Sequence, residues 1–118
     1  MAAPDAATAR AAVVPARRGR LRVADRVYAR IADQAVREVL AGVWAGRSTK
    51  GAPPRVSVAV PGSTVTVRVT VELPFPADLA GLAAALRERV GDRVAALTGS
   101  RVSDVVVVVE KLVAGGAW

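Results

Sequence analysis

Apolar residues along this chain recur with a helical period, then twice alternate, then return to a helical period, and finally run together. From Asp25 to about Leu40, Val27, Ile31, Ala35 and Val39 recur every fourth residue, flanked by Tyr28, Ala32, Val36 and Leu40. Arg26, Arg30, Asp33, Gln34, Arg37 and Glu38 take the other side. The pattern predicts an amphipathic helix with one face to bury. Asp25 is the expected N-cap and Gly42 the expected stop. The stretch 45–54 is rich in Gly, Pro and small polar residues and reads as a loop.

Val56, Val58 and Val60 then alternate with Ser57 and Ala59, and Val65, Val67, Val69, Val71 and Leu73 with Thr66, Arg68, Thr70 and Glu72. Two half-buried strands are expected, joined through Pro61-Gly62-Ser63-Thr64 by a type II turn or short hairpin loop, hence antiparallel. Pro74 and Pro76 lack the ladder donor and are expected to stop the second strand. Asp78 is placed to cap a second helix whose stripe is Leu79, Leu82, Leu86, Val90, Val94 and Leu97, ended by Gly99. Val102 and the five valines 105–109, ending near Leu112, predict a third strand with apolar surroundings on both faces.

The order helix-strand-strand-helix-strand implies an α+β fold, a three-stranded sheet with both helices packed on one face. The helical and strand patterns span 20–113, taken as one domain. Residues 1–19, interrupted by Pro4 and Pro15, read as a disordered basic arm, and 114–118 as a short tail. On the sheet face away from the helices Thr66, Arg68, Thr70 and Glu72 stand beside Val106 and Val108. Those two valines, with Thr66, Arg68 and Thr70, are the candidate interface. Alone they fall well short of a patch of a few hundred Å².

Composition narrows the chemistry. The 118 residues contain neither Cys nor His, which removes disulfides, thiolate nucleophiles, imidazole bases and nearly all zinc sites. No motif calls for a cofactor, and the carboxylates Asp33, Glu38, Glu88 and Asp92 each lie beside arginines, as balanced surface charge does. The expectation is a protein that is not an enzyme. Its start has no apolar signal core, and no uncharged apolar stretch approaches the ~18 residues of a membrane span, so a cytoplasmic location is expected.

More than half of the net charge of +7 sits in the first 22 residues, where Arg10, Arg17, Arg18, Arg20 and Arg22 face only Asp5. Such an arm suits anionic lipid through Arg17, Arg18, Arg20 and Arg22, or nucleic acid through nonspecific phosphate contacts. Further basic residues, Arg87, Arg89, Arg93 and Arg101, are interleaved with Glu88, Asp92 and Asp104, as on a solvated face. Sequence-specific RNA readout is not supported. The chain has no G-x-x-G loop, and its aromatics, Tyr28, Trp44, Phe75 and Trp118, are expected to lie off the strands. Gly46 to Gly51 lacks the phosphate-loop spacing and follows a helix rather than a strand, and reads as a flexible loop. Trp44 is expected to plug the core beside that loop.

The segments GRLRVADRVYARIADQAVREVLAGV, VSVAVPGSTVTVRVTVEL and RVAALTGSRVSDVVVVVEKL, in that order, resemble the bacterial alkaline shock protein family of envelope stress response proteins. The likeness covers roughly 19–112 and rests on Gly19, Val23, Ala24, Ile31, Ala32, Gly42, Val43, Thr98, Gly99 and Val102. Two departures stand out: Val106 where the family commonly has a polar residue, and Leu73-Pro74-Phe75-Pro76 where a tyrosine-glycine often follows the second strand. The resemblance implies a cytosolic protein that self-associates and is recruited by a small membrane-anchored partner, with a role in envelope homeostasis under stress. The expected function is therefore a non-catalytic adaptor or scaffold, a homo-oligomer or the ligand of a membrane-anchored protein. The alternative is a nonspecific nucleic-acid binder acting through its arm.

Overall fold

The computed structural model describes residues 23–114. The expected arm, with Arg17, Arg18, Arg20 and Arg22, and the tail beyond Ala114 lie outside the described residues.

Five elements follow in order: α1 (Asp25–Val43), β1 (Arg55–Ala59), β2 (Thr64–Phe75), α2 (Leu79–Thr98) and β3 (Arg101–Ala114). The fold is α+β, as the periodicities require. The sheet order is β1-β2-β3, with β1 antiparallel and β3 parallel to the central strand. The sequence left the place of β3 open; α2 is the crossover that carries the chain back to run parallel to β2.

The core is apolar throughout, and no polar or charged residue is buried among the described residues. Val65, Val67, Val69, Val71 and Leu73 project from one face of β2 and are buried, the two-residue period made visible. They meet Ala32, Ala35, Val36 and Leu40 of α1 and Leu86, Val90 and Val94 of α2 in a single cluster. Both helices therefore lie on that face. Along α1 the buried line runs through Tyr28, Ala32, Val36 and Leu40, the row expected to flank the stripe, while Val27 is exposed and Ile31 and Val39 are half-buried. On α2 the stripe is buried at its centre, but Leu97 is 65% exposed.

Several expected punctuation marks are corrected. Ala24, in extended backbone, is the N-cap of α1 without a side-chain bond, and Asp25 sits in the first turn, where its negative charge favourably meets the positive end of the helix dipole. Gly42 lies within α1; the helix ends at Trp44, and Gly46, with φ +77°, takes the left-handed conformation. Gly62, φ +67°, occupies the first central position of a turn closed by Thr64 N–H on the Pro61 carbonyl. That is the place for positive φ in hairpin turns, not the second central position of type II. Pro74 does not stop β2, which continues to Phe75 opposite Ala114. β1 pairs only with Thr66–Thr70, so Pro74 has a single ladder neighbour, and such a position tolerates a missing donor. Asp78 and Gly99 cap α2 as expected: Asp78 accepts from Gly81 N–H at 3.0 Å, and Gly99 has φ +73°.

The helices are also tied by charge. Glu38 accepts from Arg93 at 2.6 Å and Arg89 at 3.0 Å across the α1–α2 interface, and Arg37 pairs with Asp33 one turn earlier. Tyr28 Oη and Ser100 Oγ lie 2.6 Å apart, joining the start of α1 to the α2–β3 connection.

Candidate functional site: the open sheet face and the edge of the last strand

Both helices cover one face, and among the described residues no element packs on the opposite face of the sheet. Its middle row is Ser57, Arg68 and Val106, and its next row is Arg55, Thr70 and Val108, aligned across the three strands by the two registers. Thr66 continues the face on β2. The structure thus brings all five expected interface residues together. Val106 is 37% exposed, Val108 half-buried, Arg68 exposed, and Thr66 and Thr70 half-buried.

Arg55 sits on β1 opposite Thr70, and its guanidinium reaches across β2 to Glu110 on β3, with Nη2 to Oε2 at 2.8 Å. The hydrogen bond from Arg55 and its charge hold the Glu110 carboxyl below the usual carboxylate range, against partial desolvation. Arg55 is raised in turn, chiefly by that same bond. Among the described residues Arg68, in the next row, has no carboxylate within ion-pair distance.

The second feature is the free edge of β3. Among the described residues β2 is its only strand neighbour, so within them the other edge of this 14-residue strand presents backbone donors and acceptors without a ladder partner. The register to β2 shifts twice, leaving Ser103 and Glu110 without a partner. Between the shifts, Val105–Val109 pair without interruption with Val67–Val71. Val105 and Val107 face the core side and Val106 and Val108 the open side, beside Arg68 and Thr70; the apolar surroundings expected on both faces are met on the core side, whereas Val106 is exposed. Ser103 is fastened at its shift by contacts to Thr66 Oγ1 at 3.2 Å and the Val65 carbonyl at 3.4 Å.

The overhang of β2 and β3 beyond β1, where Phe75 and Leu112 are 50% and 42% exposed, has no counterpart in the sequence pattern. Trp44 packs against the core beside the loop, as expected. The indole is half-buried at the end of α1 and seats against Gly51, where an added Cβ would lie 2.8 Å from Cζ2. Among the described residues no cluster of three or more metal-ligating side chains occurs, and no helix is long and apolar enough to cross a membrane. Comparison with protein-family models, curated proteins and solved structures finds no match to this chain.

Proposed function

We propose that this protein is a non-catalytic cytosolic adaptor or scaffold of the envelope stress response, which self-associates or docks on a membrane-anchored partner through its open sheet face and the edge of β3. The observation that carries the reading is the uninterrupted Val105–Val109 edge, with Val106 exposed on an uncovered sheet face. Main-chain pairing along such an edge supplies affinity, and alternate side chains supply the selective contacts. The envelope-stress role comes from the family resemblance. Peripheral contact of Arg17, Arg18, Arg20 and Arg22 with anionic lipid would add to recruitment.

Light scattering of the full chain over a concentration series tests the reading. Concentration-dependent assembly is expected, and its loss in folded Val106→Asp plus Val108→Asp protein. Val106→Lys alone, changing the more exposed valine, covers the case in which the double variant unfolds. Assembly unchanged in Val106→Lys, or a native protein that stays monomeric and binds only polyanions through residues 1–22, overturns the proposal in favour of the nucleic-acid reading.

A further inference from the structure

A second surface lies apart from the sheet face, at the C-terminal end of α1. There the loop from Gly46 to Pro54 folds back beside the helix and encloses a cleft of about 560 Å³. Its walls are apolar, with Leu40, Trp44, Pro53 and Pro54, and its charged groups are Arg37, Arg47 and Lys50. Among the described residues no carboxylate lines it; Glu72 Oε1 accepts from the N–H of the lining residue Ala52 at 2.9 Å. Three other concavities of similar size each contain an acidic side chain among their arginines: Asp33 in one, Asp92 and Asp104 in the second, and Asp33 with Glu38 in the third.

A helix C-terminus ordinarily repels anions, because its last carbonyls are unpaired. Here that field is blunted. The Leu40 carbonyl accepts from Trp44 N–H at 2.9 Å, the Gly42 carbonyl from Ala45 N–H at 3.3 Å, and the Val43 carbonyl from Arg47 Nε at 3.2 Å. Arg47 therefore caps the helix with one nitrogen and keeps its remaining donors. Arg37 is paired with Asp33, while Lys50 is exposed with no carboxylate in ion-pair distance among the described residues.

A half-buried indole and two prolines beside uncompensated cations match a ligand that is apolar at one point and anionic at the next. We propose that this cleft is a docking site for a short acidic peptide segment of a protein partner, carrying an aromatic or aliphatic side chain between carboxylates. The apolar side chain lies against Trp44, and the flanking carboxylates meet Arg47 and Lys50. The charge complementarity sets selectivity, and the apolar wall supplies the contact area.

The test is a titration of the full chain carrying Trp118→Phe, so that Trp44 is the sole indole reporter, with acetyl-Glu-Asp-Phe-Leu-Glu-amide as the probe. Saturable binding is expected with a Kd on the order of 100 μM, within the range of weak transient contacts. The uncharged Gln-Asn-Phe-Leu-Gln peptide, and Arg47→Glu plus Lys50→Glu protein, are each expected to bind about tenfold or more weakly. Lys50→Glu alone, an exposed position, is expected to weaken binding about threefold and guards against loss of the helix cap in the double variant. Val106→Asp plus Val108→Asp is expected to bind the peptide as the native chain does, so failure at the sheet face and failure at the cleft are distinguishable. No saturation up to about 1 mM peptide, or equal affinity in Lys50→Glu and the double variant, overturns the proposal. If the probe does not bind while phosphatidylglycerol vesicles do, and Lys50→Glu weakens that binding, the cleft is a lipid-headgroup site instead.

Discussion

Gly51→Ala perturbs the junction between the loop and the fold at one methyl group. The added Cβ would lie 2.8 Å from Trp44 Cζ2, 3.1 Å from Glu72 Cβ and 3.3 Å from the Glu72 carbonyl oxygen. The last two belong to β2, where Glu72 is paired with Lys111 of β3 and resists retreat. The indole is half-buried and can swing outward, at roughly 0.5–1.5 kcal/mol if it leaves its rotamer. If the loop moves instead, the bond from Ala52 N–H to Glu72 Oε1, now 2.9 Å, is lost, at about 1 kcal/mol. Either route destabilises the protein by about 0.5–1.5 kcal/mol, at or below the lower end of what overpacking costs. Urea unfolding followed by circular dichroism measures the loss, and Trp44 fluorescence in Trp118→Phe protein separates the routes, since a red shift marks the indole moving into water. In a double-mutant cycle with Trp44→Ala the two changes should couple by about 1 kcal/mol, because part of the clash disappears with the ring. Unchanged stability together with an unchanged emission maximum would show that the loop does not sit on Glu72 and Trp44 as described.

Gly91→Ala is the contrasting case. Gly91 lies inside α2 and an added Cβ meets nothing within 4 Å, so stability should rise by about 0.5–1 kcal/mol in the same urea assay; a loss would mean that the helix face there is covered. At acid pH the ion pair between Arg55 and Glu110 can be followed directly. A folded-state carboxyl held low contributes stability that is present above the unfolded carboxylate pKa and fades as pH falls through the folded value, leaving neutral pH flat. In Arg55→Gln the Glu110 carboxyl, followed by NMR, should titrate at higher pH than in the native chain, and an identical midpoint would remove the ion pair from the solution structure.

Features with a strict period were legible in the sequence: the alternation that buries Val65 to Leu73, the helical stripes, and the caps Asp78 and Gly99. So were the members of the sheet-face site, since a two-residue period assigns Arg68 and Val106 to one face as soon as the strands pair. What depended on the extent of a neighbouring surface was not legible. A stripe says which side of a helix is apolar, not where its cover ends, and so Val27 and Leu97 are exposed. Gly42 permits a stop without compelling one, and Val43, half-buried against the core, is kept in the helix. Pro74 excludes a fully paired strand, but β1 is too short to reach it. The bonds of Glu38 to Arg89 and Arg93 join residues more than fifty positions apart, which no local pattern relates.

An edge of five valines is a hazard as well as the proposed contact surface, because any extended chain can pair with it. The features bounding it restrict that. Asp104 precedes the run and Glu110 and Lys111 follow it, with the two register shifts at Ser103 and Glu110. A strand added along β3 thus finds a regular template only over Val105–Val109 and meets charge and altered geometry at either end. On the open face Arg55, bonded to Glu110, reaches over β2 to the edge and leaves Val106 the more exposed of the two valines. Replacing Glu110 with an apolar residue would both free Arg55 and lengthen the apolar edge by one residue, up to Lys111. The charge that fixes Arg55 on this face is also the one that limits how far the edge can be extended, so the length of the contact and its exposure are set together.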